Sequence, residues 1–145
     1  MKVENYATIE FASRSINEGF ARTAAACFAA QLDPTLDELN DMKTAVSEAV
    51  TNAIIHAYPQ EIGRIVMKLR LKEEHIIEIV VRDWGIGIPD VEQARQPMYT
   101  TGNAERSGMG FTIMESFMDD LRVRSAPGKG TTVTMRKAVA VKEAD

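Results

Sequence analysis

Three polar residues follow one another at intervals of four, namely Glu48, Asn52 and His56. Residues four apart lie on the same face of an α-helix, so these side chains would form one polar stripe. An amide oxygen is a hard ligand suited to Mg²⁺, and a carboxylate can accept a proton from a hydroxyl group. A solvated helix face has the same pattern, so the stripe alone does not identify a site.

Two glycine-containing segments could hold a nucleotide. Asp83, Gly85 and Gly87 follow a predicted strand, where the carboxylate could accept a hydrogen bond from a base amino group and the glycines would let the backbone approach a flat ring. Gly108 and Gly110 open a predicted helix, whose free N–H groups and dipole favour a phosphate. Either segment by itself is also typical of an ordinary loop or helix start.

A third, weaker segment lies near the end of the chain, where Thr131 and Thr132 follow Gly130. Glycine followed by threonine is typical of a turn that enters a strand. These segments occur in a fixed order along the chain: the polar stripe, the Asp-x-Gly-x-Gly segment, the long polar stretch Gln96–Ser107, the Gly-x-Gly segment and this threonine pair. The polar stretch is long enough to predict a mobile functional loop.

The hydrophobic pattern predicts the elements that position these residues. Thr35 and Glu38 form a capping-box sequence at the start of one predicted helix. The succession predicts an α+β fold, a two-layer sandwich with helices on one face of a mostly antiparallel sheet. Strands are predicted over 3–12, 64–71, 75–82, 121–125 and 131–137, helices over 15–32, 35–58, 90–95 and 111–118, and a frayed tail over 140–145.

Composition limits the class of protein. With 145 residues, 45% of them hydrophobic and 26% charged, the chain is expected to form one domain over 1–145. A formal net charge of -4 argues against a duplex-binding surface, so no direct contact with nucleic acid is expected. Cys27 is the single cysteine, which excludes an intramolecular disulfide. No signal peptide or bilayer-spanning apolar run is present, so a soluble, cytoplasmic protein is expected without membrane attachment.

The ordered segments together resemble the nucleotide-binding domain shared by gyrase, the Hsp90 chaperones, sensor histidine kinases and the MutL repair proteins. Longer runs narrow the resemblance to the anti-sigma F factors of spore-forming bacteria, and the likeness extends from about Asn5 to Arg136. These runs are Asp33-Pro34-Thr35, Ser47–His56, Ala94–Pro97 and Glu105–Glu115.

The resemblance implies a histidine-kinase-like ATPase fold and a specific activity. Members of the family are protein-serine kinases that bind ATP and Mg²⁺ and form homodimers. They hold the sporulation RNA polymerase sigma factor F inactive, and they phosphorylate a serine on a small anti-anti-sigma protein.

The resemblance also implies roles for individual residues. Asn52 would ligate Mg²⁺, and Glu48 would be the general base toward the serine hydroxyl. Arg22 would contact the sigma factor or the anti-anti-sigma protein. Asp83 would bind the adenine amino group, Gly85 and Gly87 would lie beside the ring, and Thr132 or Thr131 would contact the adenine side. Arg106 would bind the γ-phosphate, and Gly108 and Gly110 would bind the phosphates.

Two further side chains carry expectations. Trp84 lies between Asp83 and Gly85, which would put the chain's one tryptophan beside the adenine. Cys27 falls on the apolar stripe of the first predicted helix, so it is expected to be buried rather than reactive.

Three alternatives share this pattern. A paralogous anti-sigma B kinase of the general stress response would have the same site and different partners. A binding module without catalysis would use ATP only to shape the surface that binds sigma. A detached ATPase domain of a histidine kinase would transfer phosphate to histidine instead of serine.

Overall fold

A computed structural model describes residues 2–96 and 110–141 of the chain. Within them five strands form one sheet in the order β1-β2-β3-β5-β4, and every neighbouring pair is antiparallel. The strands predicted over 64–71 and 75–82 are therefore confirmed as the antiparallel neighbours β2 and β3, and those predicted over 121–125 and 131–137 as the antiparallel neighbours β4 and β5. The strands are β1 Val3–Ala12, β2 Arg64–Lys72, β3 Ile76–Asp83, β4 Asp120–Ala126 and β5 Gly130–Ala138.

Helix α2 (Leu36–Asn52) packs against both α1 (Asn17–Ala29) and α4 (Gly110–Phe117) on one face of this sheet. This arrangement confirms the predicted two-layer α+β sandwich. None of the described helices is long and apolar enough to cross a membrane. The helices are α1 Asn17–Ala29, α2 Leu36–Asn52, α3 Val91–Ala94 and α4 Gly110–Phe117, with short 3₁₀ turns at Ala30–Leu32 and Glu73–His75 and a π-helical turn at Ala53–Ala57.

Alternation along β3 assigns each side chain to one of two faces. Ile77, Ile79 and Val81 are at most 2% exposed and belong to the core beneath the helices. The even-numbered residues between them point to the opposite side of the sheet, which we call the outer face. Asp83 has the same parity as the core residues, so its side chain lies on the helix side.

Two predicted helices have different bounds in the structure. The first starts at Asn17 instead of residue 15, because the preceding turn is closed by a bond from the Asn17 side chain to the Ala12 carbonyl. Its final residues form a 3₁₀ turn that ends at Asp33, in a left-handed conformation with φ 52°. The second keeps the predicted cap between Thr35 and Glu38, but it is α-helical only as far as Asn52.

The predicted tail is held where it begins. The Ala140 backbone N–H donates to Glu38 Oε2 at 2.9 Å, so the chain is tied to the start of α2 at this point. The frayed tail over 140–145 stays a prediction, because residues 142–145 lie outside the described part. The predicted loop 96–107 also lies outside it, apart from Gln96.

A buried carboxylate links three strands on the outer face. The Glu78 side chain is 3% exposed and contacts Arg70 at 2.8 Å, Lys72 at 2.8 Å and Arg136 at 2.7 Å. Burial alone would raise the pKa of Glu78, but hydrogen bonds from these three cations outweigh it and lower the pKa to about 2. The ionised carboxylate therefore stabilises the sheet.

We expect Glu78→Gln to lower the free energy of unfolding by about 3 kcal/mol at pH 7, because three cations lose their buried counter-ion. The stabilisation should be complete above the ordinary glutamate pKa of 4.5 and should be lost as the pH falls toward 2. Denaturant unfolding at several pH values measures both effects. Glu10→Gln removes an exposed ion pair with Arg64 and is the matched control. Equal stability of the two variants would contradict the role of Glu78.

Candidate functional site

The polar stripe of α2 meets the first residue of α4. A Cβ built on Gly110 would lie 3.0 Å from Asn52 Nδ2 and 3.3 Å from Glu48 Oε2, so glycine permits this close approach. The N–H groups that open a helix have no partner within it and favour an anion. The structure thus brings Gly110 to Glu48 and Asn52, from which it is far apart in the sequence.

A π-helical turn at Ala53–Ala57 follows Asn52 directly. π-Turns are rare and are found frequently at functional sites. Because the turn has more residues than an α-helical one, His56 does not continue the stripe with the spacing predicted from an α-helix. The turn instead presents the Ala57 carbonyl to the Ile86 N–H at 3.0 Å, which joins the end of this helix to the segment after β3.

Asp83 is fixed at the end of β3 and is 6% exposed. Its Oδ1 accepts hydrogen bonds from the backbone N–H groups of Gly85 at 2.9 Å and Thr131 at 3.1 Å. Burial raises the pKa of Asp83, and these two bonds only partly oppose the rise. Among the described residues no hydrogen bond reaches Oδ2, so this oxygen can accept one from a ligand.

Gly85 and Gly87 are required by contacts inside the protein. A Cβ on Gly85 would overlap the Ala57 carbonyl, and one on Gly87, which has φ +78°, would overlap the Ala126 carbonyl. These contacts lock the segment after Asp83 against the π-turn and the β4–β5 hairpin. The need for glycine at both positions is therefore explained without a ligand.

The structure distinguishes the two threonines of β5. Thr131 pairs with Asp83 across the β3–β5 ladder, is 9% exposed, and shares the helix side with that carboxylate. Thr132 pairs with Arg82 and Arg124, so alternation places it on the outer face. Of the two residues considered for the adenine side, Thr131 lies at Asp83 and Thr132 does not.

Two polar residues that sequence reasoning missed hold this end of the sheet together. Ser125 Oγ accepts from Ile88 N–H at 2.7 Å and lies 2.8 Å from Thr131 Oγ1. The Tyr58 hydroxyl accepts from Trp84 N–H and donates to the Arg64 carbonyl, both at 2.7 Å. Their contacts join segments distant in sequence, and no local pattern in the sequence indicates them.

The Trp84 ring does not lie on the same side of the sheet as the Asp83 carboxylate. The guanidinium carbons of Arg64 and Arg82 lie 4.3 and 4.7 Å from its ring centroid, and the side chain is on the outer face. The ring is therefore adjacent to the predicted adenine site only through the backbone. Cys27 is exposed, so the prediction that it is buried is wrong; the apolar stripe of α1 is formed by Ala21, Ala25 and Ala29 instead.

A polar groove of about 380 Å³ lies between α1 and α2, and Arg22 and Glu48 both line it. The Arg22 guanidinium contacts Glu18 at 3.1 Å and Ser47 Oγ at 3.5 Å. The groove thus joins the residue predicted to contact a partner protein to the predicted catalytic base. Arg106 and Gly108, the remaining predicted site residues, lie outside the described part of the chain.

Comparisons with known proteins agree with this geometry. The family model for the histidine kinase-like ATPase domain matches residues 11–137. The anti-sigma F factor of Geobacillus stearothermophilus is 54% identical over 142 residues, covering 97% of each chain. The anti-sigma F factor of Bacillus subtilis (strain 168) is 51% identical over 144 residues, covering 98% of each.

Solved structures share the fold at lower sequence identity. A Mycobacterium tuberculosis protein with RsbU and RsbW domains has a TM-score of 0.67 at 19% identity, covering 93% of this chain and 32% of the other. The mycobacterial sensor histidine kinase MprB has a TM-score of 0.57 at 23% identity, covering 70% and 72%. These likenesses support the fold alone.

Proposed function

The chain belongs to the histidine kinase-like ATPase domain family and, within it, to the anti-sigma F factors, and from that premise we propose how its site works. Anti-sigma F factors are ATP-dependent serine kinases. We propose that this one inhibits sigma factor F and uses Mg-ATP to phosphorylate a serine on its anti-anti-sigma antagonist. The observation that carries the proposal is the close approach of Gly110 to Glu48 and Asn52, because a phosphate bound at the start of α4 would then lie beside the proposed base and the proposed metal ligand.

The adenine would bind at the end of β3. Asp83 Oδ2 would accept a hydrogen bond from the amino group of the base, while Oδ1 remains bonded to Gly85 and Thr131. Gly85 and Gly87 would form the wall beside the adenine ring, and Thr131, next to Asp83, would line the same pocket. Burial of the carboxylate supports this assignment, since a hydrogen-bond acceptor shielded from water discriminates strongly between donor and acceptor groups on a base.

The phosphates would extend toward α4. Gly110 and Gly108 would offer backbone N–H groups, and Arg106 would contact the γ-phosphate, as an arginine fork suits phosphate oxygens. Asn52 would supply an amide oxygen, which fits Mg²⁺ bound by few protein ligands together with phosphates and water. When bound, Mg²⁺ would neutralise charge on the β- and γ-phosphates.

Glu48 would act as the general base. The serine Oγ would form a bond to the γ-phosphorus while the bond from that phosphorus to the bridging oxygen breaks, and ADP would leave. The hydroxyl proton would pass to the Glu48 carboxylate. Phosphoryl transfer needs mainly positioning and charge stabilisation, so one base beside an ordered helix end is a sufficient set.

The partner surface would lie on α1. Arg22 is a candidate contact for sigma factor F or for the antagonist. Ile16 and Phe20 lie one turn apart on the exposed side of α1, at 80% and 53% exposure. Large apolar side chains exposed next to each other are typical of protein interfaces, so this strip supports a homodimer contact. We place the activity in the cytoplasm, where the sigma factor acts.

The test is transfer of the labelled γ-phosphate from Mg-ATP to an anti-anti-sigma protein, namely the one whose gene lies nearest to the gene for this chain. Label on serine would support the kinase and would separate it from histidine transfer. ATP binding without any label would favour a sigma-binding module that only responds to nucleotide.

We expect Asn52→Ala to weaken Mg²⁺-dependent ATP binding about 10- to 100-fold, because the metal loses its amide ligand. Calorimetric titration with ATP in Mg²⁺ and in EDTA measures the difference. Asn5→Ala, on the edge strand β1, is the matched control. If Asn52→Ala binds ATP with the same Mg²⁺ dependence as the unmodified chain, the metal assignment is wrong.

A further inference from the structure

Glu48 is shared by the groove between α1 and α2 and by the close approach of Gly110. Gly110 lies close to the Glu48 carboxylate. The groove is lined by Arg22, Asn40, Lys43, Thr44, Ser47 and Glu48. Glu48 therefore belongs both to the groove and to the surroundings of the helix end.

The groove has the length of a short extended peptide. Its α2 residues run from Asn40 to Glu48, which at 1.5 Å per residue span about 12 Å along the helix axis. An extended chain rises about 3.3 Å per residue, so about four residues fit along it. Asn40 and Thr44 are exposed in this stretch and can form hydrogen bonds to a peptide backbone.

One cation in the groove, Lys43, is available to an acidic side chain, while Arg22 and Glu48 carry opposite charges. Arg22 is already paired with Glu18. Lys43 is half-buried, and within residues 2–96 and 110–141 it has no ion pair or hydrogen bond. The axial distance from Lys43 to Glu48 is about 7.5 Å, close to the spacing of residues i and i+2 in an extended chain.

We propose that this groove holds the acceptor segment of the phosphorylated protein, with an acidic side chain about two residues from the serine paired with Lys43. The inference rests on the proposed kinase function and adds the recognition of its substrate. Lys43 is a specificity-determining residue in this arrangement, since it fixes the register that places the serine at Glu48. It takes no part in the chemical step.

Lys43→Met keeps the length of the side chain and removes its charge. We expect the KM for the anti-anti-sigma protein to rise about fivefold, with kcat and ATP affinity within twofold, because one half-exposed charge pair is lost. Lys43→Arg should restore most of the affinity. Lys68→Met, on the outer face of the sheet, is the matched control and should leave the KM unchanged.

A charge exchange tests the pairing directly. Lys43→Glu should lose affinity for the unmodified acceptor and regain it for an acceptor whose acidic residue two positions from the serine is changed to Lys. An acceptor without an acidic residue within three positions of its serine, or an unchanged KM in Lys43→Met, would overturn the proposal. If the unmodified chain transfers no phosphate, the proposed function fails by itself. Calorimetric binding of the acceptor to the Mg-ADP-loaded chain then tests whether the acceptor binds in the groove. Equal acceptor affinity of Lys43→Glu and the unmodified chain would contradict binding there.

Discussion

Glu48→Gln is expected to lower the rate of phosphate transfer to serine by about a thousandfold, within the range measured for removal of a positioned general base. The amide retains the shape of the side chain but cannot accept the hydroxyl proton. ATP affinity should change little, since Asn52 and Gly110 remain in place. Single-turnover transfer from labelled Mg-ATP, with ATP binding measured in parallel, separates the two effects.

Glu73→Gln is the matched control for this substitution, because Glu73 is an exposed residue in the turn between β2 and β3. It should transfer phosphate at the unmodified rate. A Glu48→Gln variant that does the same would remove Glu48 from the chemistry. A variant that fails to bind ATP would instead make Glu48 a part of the nucleotide pocket.

Asp83→Asn is expected to weaken ATP binding about 100-fold, since a buried acceptor is replaced by a donor that faces the amino group of adenine. The two bonds that Oδ1 accepts from Gly85 and Thr131 can be kept by the amide oxygen. The fold should therefore survive. Calorimetric titration with ATP, together with the thermal midpoint of unfolding, measures both consequences.

Nucleotide choice makes this second test more specific. GTP carries a carbonyl oxygen where ATP carries the amino group, so the amide that Asp83→Asn introduces should raise the ratio of GTP to ATP affinity. Asp37→Asn, in the exposed first turn of α2, is the control and should alter neither quantity. An unchanged ATP affinity in Asp83→Asn would place the adenine elsewhere.

Both expected results depend on the end of the sheet being rigid. The Ala57 carbonyl, the Ser125 hydroxyl and the Tyr58 hydroxyl each bind backbone of the segment after β3. Because these contacts come from the end of the π-turn and from β4, which are distant in the chain, Asp83 is held without help from a nucleotide. A preorganised acceptor loses little entropy when a ligand binds.

Local sequence patterns determined the elements and the candidates for the site. The capping box at Thr35, the strand Val3–Ala12 and the two hairpins follow from interactions within a few residues, so each was predictable. The same holds for Glu48 and Asn52, since residues four apart share a helix face in any fold. The family resemblance then predicted how these candidates would bind one nucleotide, and the fold that it implied is confirmed.

Tertiary structure decided how these candidates meet. Sheet pairing placed Thr131 beside Asp83 and turned Thr132 and the Trp84 ring to the outer face. The end of the helix predicted over 35–58 is a π-turn that contacts β3. The groove that joins Arg22 to Glu48 exists only because α1 packs on α2. These features depend on contacts between residues distant in the chain, and such contacts leave no periodic signal in the sequence.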